Sequence, residues 1–174
     1  LIERLTAKEL VTGTLEHELK DVIRERDRIV QDEFDHLVED SSVLDLQGPL
    51  ELEEFMTAAA RELASEIPIG ADKIEELLEA RERERSTVLD HHLAVPHVVV
   101  EGEGIFRMLL VRCVKGIKFS PDYPEITTVF VLVLTKDQRN FYLRVLSSIV
   151  QIVQSGDFVA NWMAAKNAQQ LRDI

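Results

Sequence analysis

The chain has 174 residues, of which 45% are hydrophobic and 30% charged, and this composition predicts a globular protein large enough for a hydrophobic core. Residues 1–90 carry 11 Lys and Arg against 25 Asp and Glu, a net charge of −14, whereas residues 91–174 carry 9 against 7, a net charge of +2. An acidic half repels phosphate backbones, so we expect no nucleic-acid partner and interpret the acidity as solvated helix faces.

The first 41 residues predict an acidic helical arm or linker. Thr6 and Glu9 have the spacing of a capping box, and apolar residues recur at near-helical spacing from Leu15 to Val38. Such an arm has one apolar face and no core of its own. We therefore expect residues 1–41 to dock on the main domain, on a neighbouring domain, or on a second copy in a homodimer. Because the chain begins at Leu1, we also expect it to be a piece of a longer protein.

Residues 42–174 predict an α/β domain. The hydrophobic period indicates helices over 50–64, 72 to about 85, 137–154, 157–165 and 167–174. Strand-like segments cover 93–100, 105–114 and 126–135, with a short strand or extended entry at 43–46. Gly102 and Gly104 predict a hairpin turn, and a loop is expected from Lys115 to Pro124. Continuously apolar strands are typical of a sheet covered on both faces. The predicted fold is therefore a mixed β-sheet sandwiched between helices, preceded by the helical arm.

Cysteine content and hydropathy favour a cytoplasmic protein. Cys113 is the only cysteine, lies in an apolar stretch, and is expected to pack in the core. The longest apolar stretch, residues 129–134, is far shorter than the roughly 20 residues that span a bilayer. The charged amino terminus does not resemble a secretory signal.

A histidine follows a proline in the stretch Leu-Ala-Val-Pro-His at 93–97, and Arg-Glu-Arg-Glu-Arg-Ser-Thr precedes it at 81–87. By itself the proline–histidine pair leaves two interpretations of His97 open: a buried histidine that caps a strand end, or a reactive imidazole. With the upstream spacing and the order of elements, residues 42–174 resemble the fructose, mannitol and nitrogen type of enzyme IIA domains of the bacterial phosphotransferase system. The pattern of that family is Arg-Glu, Ser/Thr-Thr, a glycine-rich link and Ala-Ile-Pro-His.

The resemblance implies that His97 carries a phosphoryl group. This chemistry needs a neutral imidazole nitrogen that a phosphohistidine donor can approach in line, and hydrogen-bond donors for the equatorial oxygens. Arg81 matches the arginine of the family, and Ser86 and Thr87 lie near its Ser/Thr position, so we expect these three residues to bind the phosphoryl group. Tyr142 stands where the family usually has a second histidine. We expect Tyr142 to be a site residue, because a phenol can donate one hydrogen bond to a phosphoryl oxygen, although it supplies neither a cation nor a proton shuttle near neutral pH.

The link at 88–92 also departs from the family, because it has no glycine and contains a carboxylate at Asp90. Asp90, His91, His92 and His97 suggest a zinc site as an alternative. Adjacent histidines on an extended segment point to opposite sides, however, so we predict no metal and no other cofactor.

Two functions follow from the resemblance and its departures. The first is a regulatory cytosolic domain, phosphoryl-accepting at His97 or retaining only the fold. It would belong to a larger transport protein, fused to or associated with a membrane transporter, as some enzyme IIA-like domains are. The alternative is a fully active phosphotransferase. It would take a phosphoryl group from an HPr-like phosphohistidine carrier and pass it to a sugar-transport IIB domain.

Overall fold

The structure, a computed structural model, describes Val22 and residues 33–174. Two units are distinguished along the chain, Leu1–His36 and Leu37–Ile174, and the architecture below is that of the second. Most of the predicted arm, including the capping box at Thr6, lies outside the described residues. Residues 33–39 are helical.

The sheet is mixed, as predicted. The elements in chain order are β1 (Ser42–Leu46), β2 (Leu50–Glu51), α1 (Leu52–Ala64), α2 (Ala71–Glu84), β3 (Leu93–Ala94), β4 (His97–Val100), β5 (Phe106–Lys118), β6 (Ile126–Thr135), a 3₁₀ turn (Lys136–Gln138), α3 (Arg139–Val153), α4 (Phe158–Ala164) and α5 (Ala168–Arg172). The strands lie in the order β1, β5, β6, β3, with β2 also on β5 and β4 also on β6. Only the β5–β6 pair is antiparallel among these pairings. β4 and β5 each pair with β6 and not with each other, so the hairpin predicted at Gly102 and Gly104 is wrong.

Helices flank the sheet on both faces. Alternate residues of β5 and β6, such as Leu109 and Val131, belong to one buried cluster with Phe55 of α1 and Ile74 of α2. On the other face, the Phe130 ring lies 6.0 Å from the Trp162 ring of α4, and the Phe106 ring lies 4.7 Å from the Phe141 ring of α3. Both faces of β6 are therefore buried, which explains its continuously apolar sequence. The predicted sandwich is confirmed.

β5 is longer than the sequence indicated. The predicted loop at Lys115-Gly116 is instead an irregularity within the strand, where the register against β6 shifts between Arg112 and Ile117. Gly116 has a φ of 86°, and a Cβ at this position would lie 2.7 Å from the Cα of Glu125. A glycine is needed here for both backbone conformation and close approach. The strand therefore passes through the glycine and continues to Lys118.

A buried arginine joins the sheet to the last helices. The guanidinium of Arg112 donates to both carboxylate oxygens of Asp45, at 2.8 and 2.6 Å. Its Nη1 also donates to the backbone carbonyls of Trp162, Met163 and Ala165, at 2.9, 3.3 and 2.6 Å. These carbonyls lie at the carboxyl end of α4, where a helix leaves acceptors unpaired and attracts a positive charge. Arg112 thus caps α4 and anchors it to β5 and β1.

Cys113 is fully buried, as predicted. Burial raises the pKa of its thiol, while hydrogen bonds from backbone groups of Gly116 and Lys115 act in the opposite direction. Within the part of the chain that the structure describes, no helix combines the length and hydropathy that a bilayer crossing requires.

Candidate functional site

The site lies where the edge strand of the sheet is interrupted. β3 and β4 pair with β6 at the same offset, with Ala94 opposite Val129 and His97 opposite Leu132. Pro96 lies between them, where its missing N–H is tolerated because the strand is at an edge. Its carbonyl accepts from the Leu132 N–H at 2.9 Å, whereas the Val95 N–H points away from β6 and donates to the Thr87 carbonyl at 3.0 Å. The interruption at Pro96 therefore leaves the N–H and carbonyl of Val95 facing away from β6, beside the side chain that follows the proline.

That side chain is His97, the first residue of β4, and it is half-buried. Its Nδ1 lies 3.4 Å from the carbonyl oxygen of Val95. Its Nε2 lies 3.4 Å from the Nε of Arg81, an N–H donor. A carbonyl only accepts and an arginine N–H only donates, so these two contacts favour the tautomer with the proton on Nδ1 and the lone pair on Nε2. One nitrogen of the ring is therefore disposed to act as a nucleophile.

Arg81 reaches this nitrogen from the last turn of α2. Its Nη1 donates to the carbonyl of Arg85 at 2.7 Å, just beyond the end of the helix, and this bond holds the guanidinium in place. Burial lowers the pKa of His97 below its usual 6.5, and the positive charge of Arg81 lowers it further, against an opposing hydrogen bond to the Val95 carbonyl. The neutral form of the imidazole therefore predominates at pH 7.

Tyr142 approaches the same ring from α3. Its hydroxyl lies 3.4 Å from the Nδ1 of His97, and the two ring centroids are 5.0 Å apart at an interplanar angle of 36°. Burial raises the pKa of the phenol, with the charge of Arg81 acting in the opposite direction. The phenol therefore keeps its proton at neutral pH. Three of the five predicted site residues, His97, Arg81 and Tyr142, come together.

Ser86 and Thr87, the other two predicted site residues, are engaged elsewhere. The exposed Ser86 hydroxyl accepts from the Val88 N–H at 3.3 Å. Thr87 is buried, with 5% of its surface exposed, and its hydroxyl donates to Glu82 at 2.5 Å. Their binding to a phosphoryl group stays a prediction. Thr87 nevertheless belongs to the site through its backbone carbonyl, which holds the Val95 N–H.

In the loop from α2 to β3, the side chain of Asp90 binds backbone N–H groups. One carboxylate oxygen of Asp90 accepts from the N–H groups of His92 and Leu93, at 2.8 and 2.9 Å. Backbone N–H groups that a glycine-rich link can offer to an anion are here engaged by Asp90. His91 and His92 are exposed. Among the described residues, no group of three or more His, Cys, Asp and Glu side chains is arranged to hold a metal ion.

Comparison with known proteins identifies the class. Residues 42–174 match the family model for EIIA 2 of the phosphoenolpyruvate-dependent sugar phosphotransferase system. A search of curated proteins gives no match. The chain belongs to this enzyme IIA family, and the resemblance of its sequence motifs to that family is confirmed.

Solved structures show the same fold. The nitrogen regulatory protein IIA-Ntr from Neisseria meningitidis aligns with a TM-score of 0.68 at 23% identity, over 75% of this chain and 90% of its own. IIA mannitol from Escherichia coli aligns with a TM-score of 0.63 at 14% identity, over 76% and 94%. The mannitol-specific cryptic phosphotransferase enzyme IIA CmtB, also from Escherichia coli, aligns at 0.62 and 15%, over 79% and 96%. These neighbours have the mannitol-type fold predicted from the sequence.

Two contributors to the site were not predicted. The Val95 carbonyl is a backbone group, and only the edge position of the strand turns it towards the ring. Glu82 follows Arg81 directly, and of this Arg-Glu pair only the arginine is among the predicted site residues. Its carboxylate accepts from the Thr87 N–H at 3.0 and 3.2 Å as well as from the Thr87 hydroxyl. The sequence signal was the pair itself, since neighbouring residues in the last turn of a helix can both reach the chain that follows.

Proposed function

We propose that His97 accepts a phosphoryl group at Nε2 from a phosphohistidine of an HPr-like carrier protein. The observation that carries the proposal is the pair of contacts on the ring, an acceptor at Nδ1 and a donor at Nε2. They favour a neutral imidazole whose lone pair lies beside a guanidinium, which is the group that neutralises phosphoryl oxygens. Family membership supports the same chemistry and the same kind of partner.

The step is an exchange of one phosphorus–nitrogen bond for another. The Nε2 lone pair of His97 forms a bond to phosphorus as the bond from phosphorus to the donor imidazole breaks, and that imidazole keeps the electron pair. Arg81, now displaced from Nε2, pairs with the equatorial oxygens. The proton stays on Nδ1, where the Val95 carbonyl accepts it and stabilises the positive ring of the phosphorylated product. Tyr142 lies on the Nδ1 side of the ring and limits how far it can turn.

The use made of this phosphoryl group is best described as regulatory. Asp90 occupies two amides of the link, and Tyr142 brings a phenol that stays protonated, so the site offers fewer groups for repeated transfer. The charge change at His97 is then the signal, read by a larger transport protein to which this domain is fused or bound. In this proposal residues 42–174 act as the phosphoryl-accepting domain, and residues 1–41 are the segment through which a homodimer would form.

The second candidate is a full phosphocarrier that passes the group to a sugar-transport IIB domain. It is favoured by the Arg81 contact, because a guanidinium at the accepting nitrogen serves transfer in both directions. This candidate and the regulatory one share the first step and differ only in the second.

The test is phosphorylation of the full chain by phosphoenolpyruvate and the general phosphotransferase proteins. We expect the mass of one phosphoryl group to be gained by the wild type and not by His97→Ala, with a ³¹P spectrum typical of Nε2-phosphohistidine. His92→Ala is the matched control, since it removes an exposed histidine five residues before His97. Equal failure of wild type and His97→Ala would overturn the proposal. A IIB domain added to the phosphorylated chain then distinguishes the two candidates, because only a full carrier is discharged.

A further inference from the structure

The Nδ1 side of His97 is connected to α2 by a chain of hydrogen bonds. Glu82, in the last turn of α2, accepts from the backbone N–H of Thr87 at 3.0 Å and from its hydroxyl at 2.5 Å. The Thr87 carbonyl accepts from the Val95 N–H at 3.0 Å. The Val95 carbonyl faces the Nδ1 of His97 at 3.4 Å. Each link is a specific donor–acceptor pair, and the chain ends on the atom whose protonation decides which nitrogen is the nucleophile.

The middle of this chain is held in place by its surroundings. Thr87 and Val95 are 5% and 3% exposed. The segment after Thr87 runs antiparallel to β3, with Val88 bridged to Ala94 and the Leu89 N–H bound to the Leu93 carbonyl at 2.9 Å. Because Val95 follows an edge strand, its outward-facing N–H has no partner in the sheet. That N–H is held by the Thr87 carbonyl, and Thr87 in turn is held by the Glu82 carboxylate.

We propose that Glu82 is a positioning residue for His97: through Thr87 and the backbone of Val95, it holds the proton of the imidazole on Nδ1 and leaves Nε2 as the accepting nitrogen. The inference rests on the proposed function, since it concerns the nitrogen that receives the phosphoryl group. Arg81 and Glu82 then act as neighbours on one helix turn, the arginine directly on Nε2 and the glutamate through the backbone on Nδ1. Glu82 itself does not touch the reacting atoms.

The proposal separates two contributions of Glu82: the hydrogen bonds that place Thr87, and the negative charge of the carboxylate. Glutamine at position 82 can accept from the Thr87 N–H through its amide oxygen and donate to the Thr87 hydroxyl through its amide nitrogen, so it preserves the geometry and removes the charge. Alanine removes both. Arg81 is the charged side chain that shifts the pKa of His97. We therefore expect Glu82→Gln to behave like the wild type and Glu82→Ala to differ.

The experiment measures the tautomer of His97 by long-range ¹H–¹⁵N correlation spectra of the full chain, without a phosphoryl donor, at a pH where the ring is neutral. We expect the wild type and Glu82→Gln to carry the proton on Nδ1, and Glu82→Ala to show a mixture of the two tautomers. In phosphorylation assays, Glu82→Ala should be slower by about 10-fold, the low end of the range found for hydrogen-bond partners of metal-bound histidines, and Glu82→Gln by less than about 2-fold. Glu84→Ala is the matched control, because it removes an exposed carboxylate two residues along the same helix.

The outcomes separate this proposal from the one it rests on. A wild-type ring protonated on Nε2, or an Nδ1 proton that persists unchanged in folded Glu82→Ala, overturns the positioning role whether or not His97 is phosphorylated. A wild type that is never phosphorylated overturns the proposed function, while the tautomer measurement still decides the role of Glu82. Should Glu82→Ala fail to fold, Thr87→Val takes its place. It keeps the side-chain shape, removes the hydroxyl that binds Glu82, and is expected to shift the tautomer in the same direction.

Discussion

Replacing Arg112 with alanine removes the guanidinium that connects β5, β1 and the end of α4. The side chain is 6% exposed, and its loss leaves the Asp45 carboxylate, itself 32% exposed, without a counter-ion. Three backbone carbonyls at the end of α4 also lose their donor. Removing one partner of a buried ion pair costs about 3–5 kcal/mol. Water can reach the partly exposed carboxylate, so we expect the low end, about 3 kcal/mol.

The assay is urea and thermal unfolding of Arg112→Ala and wild type, followed by the fluorescence of the single tryptophan, Trp162. A loss of about 3 kcal/mol corresponds to a fall in Tm of about 6–12 °C for a protein of this size. Because Arg112 binds the carbonyl of Trp162, the emission of the folded variant should also change. Arg107→Ala is the control, since Arg107 is exposed on the same strand and its Nη1 donates only to the neighbouring Phe106 carbonyl among the bonds that the structure describes. A loss below about 1 kcal/mol, equal in both variants, would refute the argument that this ion pair anchors the last helices.

Three further predictions concern the site and the bulge. Arg81→Met should slow phosphorylation of His97 by about 10²–10³-fold, the cost of losing one donor to a developing negative charge, and should raise the pKa of His97 in an NMR titration. The free energy of unfolding should fall as the pH drops from 6.5 towards the lowered pKa of His97, because the unfolded chain binds the proton more readily there, and His97→Gln should lack this component in urea unfolding. Gly116→Ala should destabilise the fold by about 2 kcal/mol or more in the same assay, because its φ of 86° and the 2.7 Å approach to Glu125 leave no room for a Cβ.

Each of these predictions has a matched comparison. Arg83→Met removes an exposed arginine from the same helix and should leave the phosphorylation rate unchanged, so equal rates in the two arginine variants would contradict the role of Arg81. A stability profile that is the same in His97→Gln and wild type between pH 5 and 7 would contradict the lowered pKa. Gly156 has open space around the position of a Cβ, so Gly156→Ala should change stability by less than about 0.5 kcal/mol, and equal losses at both glycines would contradict the steric argument.

The fold followed from the sequence wherever burial produces a periodic pattern. The continuously apolar run of β6 predicted a sheet covered on both faces, and the apolar period located α1, α2 and α3. The predicted end of β5 at residue 114 is wrong, because Lys115-Gly116 has the local signature of a turn although the strand continues to Lys118. The two-residue β2 was also missed, since its pairing with β5 depends on residues far away in the sequence.

His97 and Arg81 could be predicted as site residues from the sequence because a family motif keeps residue types at fixed spacing, and that information is local. Only the tertiary structure decides that the Nε2 of His97 faces Arg81 and that the Nδ1 faces the Val95 carbonyl. The Pro96 interruption turns the Val95 peptide outward, and Glu82 reaches it through Thr87. A backbone carbonyl has no identity of its own in the sequence, so its role depends on which side of an edge strand it faces. That orientation is set by pairing with β6, more than 30 residues further along the chain.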